Sequence, residues 1–208
     1  MKSFNTIRIA ETLPEIVDPR HSCLVVWDVQ NVLVERAFNK DVFLARLSAL
    51  LKALRGRMPL AYTMITPLPR EFSPAWSLYA AMRRFRAEDP ARMPVFMAPG
   101  SPEREIHASV KPEAGDLVLE KSTANIFLGN NFEAMMRARG IQTLVFTGIA
   151  TEIGVETSAR DASCRGFYPV VVSDCVSSAD KESHDRSLAN MARQFVVADS
   201  ETLLKSVP

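Results

Sequence analysis

Six short apolar runs alternate along the chain with segments in which apolar residues recur every three or four positions. Nearly continuous apolar runs of four to seven residues are typical of strands that are covered on both faces, whereas the longer spacing predicts amphipathic helices. A regular alternation of strands and helices predicts a three-layer α/β/α fold with right-handed crossovers. The predicted strands are 23–28, 60–65, 116–121, 143–147, 169–173 and 195–197.

Capping residues mark the helices between these strands. A helix that starts after Asn39 carries an apolar stripe and ends at Gly56, and one that starts after Asn131 ends at Gly140. Two further helices are predicted to start at Thr151 and Asp180, because both residue types accept hydrogen bonds from the free N–H groups of a first turn.

Residues 66–111 break the alternation. This stretch is rich in proline and contains one arginine-rich helix, 75–86, and a loop at 93–102. A connection of this length inside a compact domain is often a lid or a substrate loop. We therefore expect a single domain over 1–208, with a lid insert at about 66–111.

The amino-acid composition limits the kinds of molecule with which the protein is expected to interact. The 208 residues include 25 Lys and Arg and 24 Asp and Glu, a formal charge of +1, which offers no net field for nucleic acid or an anionic membrane. Three cysteines without a C-x-x-C pair argue against a disulfide framework, and no apolar stretch reaches the length of a signal peptide or a membrane span. We expect a cytoplasmic protein that acts on a small molecule.

Charged residues follow two of the predicted strands. Asp28 ends the first and Lys121 the third, while a glycine-containing turn, 148–154, follows the fourth. Since the carboxyl ends of parallel strands open at one edge of the sheet, these residues are candidates for a common site. An Asp and a Lys that meet in a cleft can share a proton.

Three motifs together resemble the isochorismatase-like (cysteine hydrolase) superfamily. They are Asp28-Val-Gln-Asn31 after the first strand, Lys121 after 117–120, and the segment 146–162. The resemblance implies a six-stranded parallel sheet of order 3-2-1-4-5-6 and a homodimer or homotetramer. It also implies a triad of Asp, Lys and Cys that hydrolyses amides or related C–N bonds without a cofactor.

The resemblance assigns roles residue by residue. Asp28 and Lys121 match the first two members of the triad, and a cis peptide bond is expected between Ile149 and Ala150, which with the Gly154 backbone would form a cradle for an oxyanion. Gly154 stands where the amidases carry the nucleophilic cysteine. One branch of the superfamily also has glycine there and hydrolyses a vinyl ether, with the aspartate as general acid and no covalent intermediate.

Other side chains are weaker candidates. By resemblance, Phe127 and Asn125 line the substrate pocket. Cys175 follows the fifth strand, but a free cysteine is more often a small buried hydrophobe than a nucleophile. The segment 63–72 lacks the Asp and His ligands that some family members carry after the second strand, so no metal site is predicted. Four arginines of the insert either clamp a substrate carboxylate or form a solvated face: Arg70, Arg83, Arg84 and Arg86.

These observations favour a cofactor-independent hydrolase of a small, carboxylate-bearing molecule, with Asp28 and Lys121 as the acid–base pair and water in place of a thiol. Two alternatives stay open. The protein is either a hydrolase of amide or ureido C–N bonds in which Asp28 activates water, or a catalytically silent protein that binds a small molecule.

Overall fold

A parallel sheet of six strands runs through the computed structural model, which describes residues 2–208. The strands lie side by side in the order β3-β2-β1-β4-β5-β6, and all five neighbouring pairs are parallel. This is the order 3-2-1-4-5-6 expected from the sequence, so the predicted fold is confirmed. The strands are β1 (Ser22–Trp27), β2 (Leu60–Ile65), β3 (Leu117–Lys121), β4 (Thr143–Ile149), β5 (Tyr168–Ser177) and β6 (Val196–Ala198).

Helices cover both faces of the sheet, and a short antiparallel hairpin, Lys2–Phe4 with Ile7–Ile9, precedes it. No helix within residues 2–208 combines the length and the apolar character that a bilayer crossing needs. The helices are α1 (Leu13–Ile16), α2 (Asn31–Val34), α3 (Lys40–Leu54), α4 (Ala75–Phe85), α5 (Phe132–Ala138), α6 (Glu156–Cys164), α7 (Lys181–Met191) and α8 (Ser200–Ser206).

The central strand β1 explains the continuous apolar run at 23–28. All six of its residues are buried, because alternate side chains enter two separate cores. Leu24 and Val26 pack with the inner stripe of α3 on one face. Val25 and Trp27 pack with α5 and α6 on the other. A strand between two helical layers has no solvent face, so its residues from Cys23 to Trp27 are all apolar.

Two strands run further than their apolar pattern predicts. β4 continues through Gly148 to Ile149, and β5 continues to Ser177, because these ends pair with each other after a register shift between Phe146 and Gly148. A glycine in one strand and Asp174 in the other are turn signals in a sequence. In the structure the irregular pairing accommodates both.

The predicted starts of two helices have different outcomes. Asp180 begins α7 as expected, since its carboxylate accepts hydrogen bonds from the N–H groups of Glu182 and Ser183. Thr151 is not a cap, which corrects the prediction. It lies inside a single π-helical turn, Thr151–Val155, and its hydroxyl donates to the carbonyl of Ser177 at 3.0 Å, so that it joins β5 rather than the helix.

The insert at 66–111 contains α4 and four isolated 3₁₀ turns. The side chain of Gln30 attaches the C-terminal part of this insert to the end of β2. The side-chain amide donates to the carbonyls of Ile65 (3.2 Å) and Arg104 (2.8 Å), and the side-chain oxygen accepts from the N–H of Ile65 (2.8 Å). The 3₁₀ turns are Arg70–Phe72, Pro90–Arg92, Pro102–Arg104 and Ala108–Val110.

Gly148 of β4 lies against β1 without room for a side chain. Its φ of +112° suits glycine, and a Cβ there would lie 2.1 Å from the carbonyl oxygen of Trp27. We expect Gly148→Ala to lower the free energy of unfolding by about 3 kcal/mol, because backbone of a central strand cannot move away. Gly140→Ala is the matched control: Gly140 also has a positive φ but open space around it, so the cost is about 1 kcal/mol. Urea unfolding of both variants checks this, and equal losses would contradict it.

Candidate active site

Asp28 and Lys121 meet at the carboxyl edge of the sheet. Lys121 Nζ lies 2.6 Å from Asp28 Oδ2, and the two side chains are 0% and 6% exposed. Their strands, β3 and β1, flank β2, and Thr63 of β2 joins the site from between them. The Thr63 hydroxyl donates to Asp28 Oδ1 at 2.6 Å and accepts from the Asp28 N–H at 3.1 Å. Asp28 has a φ of +44°, just beyond the end of its strand.

The Lys121 ammonium has three neighbours that favour a positive charge. Besides Asp28, it donates to the carbonyl of Thr123 at 3.2 Å, and it lies 3.8 Å from the centroid of the Trp27 ring. A cation over an indole face is attracted by the electrons of the ring, and the attraction grows when water is excluded. The ammonium is therefore held in one position relative to the carboxylate.

Burial changes the acidity of both groups. It raises the pKa of Asp28 above the ordinary range of an aspartate, although the charge of Lys121 and the hydrogen bonds from Lys121 and Thr63 oppose it. It also lowers the pKa of Lys121, against the opposing effect of Asp28. The two pKa values thus approach one another, so a proton moves between the groups at less cost than it would in water. Such a pair can donate or accept a proton in acid–base chemistry.

Gly154 lies directly against the indole of Trp27. A Cβ built on Gly154 would be 1.9 Å from Nε1 and 2.2 Å from Cε2 of that ring. Trp27 is only 1% exposed, so the ring has no free space into which it can move. While Trp27 keeps this position, no side chain fits at residue 154.

The expected oxyanion cradle is present only in part. The peptide bond between Ile149 and Ala150 is cis. The N–H groups of Ile153, Gly154 and Val155 all point to the carbonyl of Ala150, at 3.3, 3.1 and 3.2 Å. The Gly154 N–H, which was expected to face a substrate oxygen, is thus already used within the π-helical turn.

Asn125 and Phe127, which the resemblance places in the substrate pocket, both make contacts with other parts of the protein. The Asn125 amide donates to Asp161 of α6 at 2.7 Å, and its oxygen accepts from the Phe127 N–H at 2.9 Å, so it braces its own loop. The Phe127 ring packs against Phe132 and Phe167 inside the core. Both residues support the scaffold of the site from behind.

A cavity of about 500 Å³ lies between the insert and the sheet edge. Thr66 and Ser122 line it, and the Thr66 N–H donates to the Lys121 carbonyl at 2.7 Å, so the cavity reaches the backbone that flanks Lys121, although the Asp28 and Lys121 side chains do not line it. Of the four arginines considered as a carboxylate clamp, only Arg70 lines it.

Neither a metal cluster nor an activated thiol accompanies the pair. Within residues 2–208, no three His, Cys, Asp or Glu side chains are placed to hold an ion. Cys175 is fully buried, and burial raises its pKa far above the ordinary range of a thiol. Burial likewise raises the pKa of Cys23 to about 12. Cys164 is exposed at the end of α6, away from the carboxyl edge.

Sequence reasoning missed Thr63 and Trp27. Thr63 lies inside an apolar strand and gave no signal of its own. Trp27 had one: a large ring directly before Asp28, on a strand adjacent to the glycine-containing turn. Only the structure relates that ring to Gly154 and Lys121.

Comparisons with known proteins agree with this fold. Residues 22–202 match the isochorismatase domain. The ureidoacrylate amidohydrolase RutB of Methylobacterium radiotolerans is 31% identical over 201 residues, an alignment that covers 88% of this chain and 77% of that protein. RutB of Variovorax paradoxus is 38% identical over 102 residues, which cover 49% of this chain and 40% of that protein.

A solved structure with the same fold is that of a cysteine hydrolase from Pseudomonas syringae pv. phaseolicola. It superposes with a TM-score of 0.75 at 18% identity and covers 92% of this chain and 94% of its own. At that identity the likeness supports the fold alone, whereas the family is established by the domain match and by the relative from Methylobacterium. The chain therefore belongs to the isochorismatase family of hydrolases.

Proposed function

We propose that this protein hydrolyses a C–N bond of a small amide or ureido compound, with water rather than a thiol as the nucleophile. The observation that carries the proposal is the buried Asp28–Lys121 pair beside a glycine that cannot accept a side chain. The bond type is supported by the name of the relative that is 31% identical over most of the chain, an amidohydrolase of ureidoacrylate.

A covalent route through sulfur lacks a sulfur atom in reach of the pair. The position that carries the nucleophile in the cysteine members of the family is occupied by Gly154 and by the Trp27 ring. Cys175 is buried and held in its protonated form, so it does not replace the missing thiol.

Water as nucleophile assigns a role to each group. Asp28 accepts a proton as the water oxygen bonds to the carbonyl carbon, and the same proton passes to the nitrogen as the C–N bond breaks. The products are a carboxylic or carbamic acid and an amine or ammonia. Lys121 stabilises the ionised carboxylate, and Thr63 fixes its orientation through the 2.6 Å hydrogen bond. The raised pKa makes Asp28 a stronger base than an exposed aspartate.

Hydrolysis of a vinyl ether is the second candidate, and the same raised pKa favours it. A protonated Asp28 would deliver a proton to the enol carbon, and water would add to the resulting oxocarbenium ion and return a proton to Asp28. The C–O bond of the hemiketal so formed would then break, which releases a carbonyl compound and an alcohol. The glycine at position 154 resembles the branch of the superfamily that works in this way. The two candidates require opposite protonation states of one carboxyl group, so they are separable by experiment.

Asp28→Asn is expected to reduce kcat by about 100-fold or more, because the amide can neither accept nor deliver the proton. Turnover of ureido acids, simple amides and a vinyl ether is measured with the wild type and the variant, and circular dichroism checks the fold. Asp185→Asn, on the exposed face of α7, is the control and retains full activity.

A second variant is needed if Asp28→Asn unfolds the chain because it leaves Lys121 unpaired. The double variant Asp28→Asn with Lys121→Gln removes both charges. A folded, active variant of either kind would remove Asp28 from the mechanism, and no turnover of any compound by the wild type would favour the silent binding protein.

The pH dependence of kcat/KM distinguishes the two candidates. A base must be ionised, so for C–N hydrolysis we expect the rate to rise with pH through the pKa of Asp28, at a midpoint well above the ordinary range of an aspartate. A general acid must be protonated, so hydrolysis of a vinyl ether would show the rate falling through the same midpoint. A profile that is flat between pH 4 and pH 9 would exclude Asp28 from proton transfer in both schemes.

Trp27 and Gly154 are expected to be energetically coupled. Gly154→Ala should lower the free energy of unfolding by about 2 kcal/mol, because the new methyl group overlaps the indole. In a Trp27→Leu background the ring is gone, so the same change should cost at least about 1 kcal/mol less. A double-mutant cycle in urea measures this difference. Additive effects would mean that the indole does not exclude a side chain at 154, and that the argument against a nucleophile there fails.

A further inference from the structure

The cavity beneath the insert is lined mainly by apolar side chains. Helix α4 forms one wall and the segment 93–99 forms another, with the residues after β2 at the base. Its volume of about 500 Å³ exceeds the roughly 150 Å³ that is enough for a benzene ring in a protein interior. The apolar lining includes Leu68, Leu78, Phe85, Met93, Phe96 and Met97.

The polar side chains of the lining are mostly satisfied by the insert itself. Arg70 donates to the carbonyls of Ala91 (3.0 Å) and Met93, and so joins two segments of the insert. The Ser73 hydroxyl donates to the carbonyl of Pro69 at 3.0 Å. Arg70 keeps its charge and further N–H donors, but the other side chains of the lining are neutral and mostly apolar, so a carboxylate would lose most of its hydration on entering the cavity.

The cavity reaches the backbone that flanks Lys121. Thr66 is hydrogen-bonded through its N–H to the Lys121 carbonyl, and Ser122 is the next residue after Lys121. The Thr66 hydroxyl is bonded to Arg104 (3.0 Å) and Glu120 (3.2 Å). A molecule that fills the cavity would thus have one end next to the backbone that flanks Lys121 and its remaining part among apolar side chains.

We propose that this cavity binds a neutral apolar group of the substrate, an aryl or branched alkyl group, so that the hydrolysed compound is an apolar amide or urea rather than a small dianion or carboxylate. The inference rests on the proposed function for the position of the scissile bond, whereas the binding of the apolar group is independent of turnover. It departs from the carboxylate-bearing substrate expected from the sequence, because Arg70 is the one charged side chain of the lining and the other side chains are neutral and mainly apolar.

Calorimetric titration of the folded double variant, Asp28→Asn with Lys121→Gln, measures binding without hydrolysis and without an unpaired Lys121 charge. The probes are phenylacetamide, acetamide and phenylacetate, which differ by one ring or by one charge. We expect phenylacetamide to bind at least about tenfold more tightly than acetamide, because the ring leaves water, and also more tightly than phenylacetate. Equal binding of the two amides would overturn the apolar site, and tighter binding of phenylacetate would overturn its neutral character.

Two adjacent alanines of α4 offer a matched pair of variants. Ala81 lines the cavity, on the same side of the helix as Leu78 and Phe85, whereas Ala80 is exposed and does not. Ala81→Phe should fill part of the cavity and weaken phenylacetamide binding by about tenfold or more, with acetamide little affected. Ala80→Phe places the same ring in solvent and should change binding by less than about twofold.

The outcomes separate this inference from the proposed function. Selective loss of phenylacetamide binding in Ala81→Phe supports the apolar site even if no substrate is turned over. Equal effects of the two variants would overturn it even if the wild type hydrolyses acetamide. If Ala81→Phe fails to fold, Leu78→Ala is used instead, because it removes an apolar side chain from the same wall of the cavity. Unchanged binding of phenylacetamide to that variant would overturn the apolar site.

Discussion

The ion pair between Asp28 and Lys121 depends on the order of the strands. These residues are 93 positions apart in the sequence. They meet because only one strand, β2, lies between β1 and β3, at whose carboxyl ends they are found. A pair of charges removed from water stabilises a protein only if its remaining hydrogen-bonding groups are satisfied. Here Thr63, the Thr123 carbonyl and the Trp27 ring supply those partners. The order of the strands therefore determines both where the pair lies and which groups shift its pKa values.

Trp27 connects this pair to the glycine-containing turn. Its ring lies against Lys121 on one side and against Gly154 on the other. A side chain at residue 154 and the indole of Trp27 would occupy the same space. The chain can therefore have either a nucleophilic side chain at residue 154 or a tryptophan ring over Lys121, but not both. In this protein the ring lies over Lys121, and residue 154 is glycine.

The sequence was sufficient for the parts of the fold that depend on local pattern. The strand 60–65 and the helix after Asn39 were predicted at the bounds the structure has, and Asp180 was recognised as a cap, because each depends on neighbouring residues. The order of the strands and the pairing of Asp28 with Lys121 came instead from a family resemblance, since no local pattern encodes contacts between distant strands.

The side-chain contacts that could not be predicted from the sequence share one physical cause. Thr151 has the chemistry of a cap, but a carbonyl of β5, 26 positions away, takes its hydroxyl. Phe127 and Asn125 have the chemistry of pocket residues, but their loop turns them toward the core and toward Asp161. In each case the residue type permits two roles, and a partner distant in sequence decides between them.

Gln30 has a consequence for how molecules reach the interior. It is completely buried, and its amide links the carbonyls of Ile65 and Arg104, only two residues after Asp28. Opening the insert at Arg104 would strand a buried amide at a cost of about 1–3 kcal/mol and would disturb the backbone next to Asp28. Entry and exit are therefore easier from the side of residues 67–99. The end of the insert near Arg104 is thus fastened to the segment that contains Asp28.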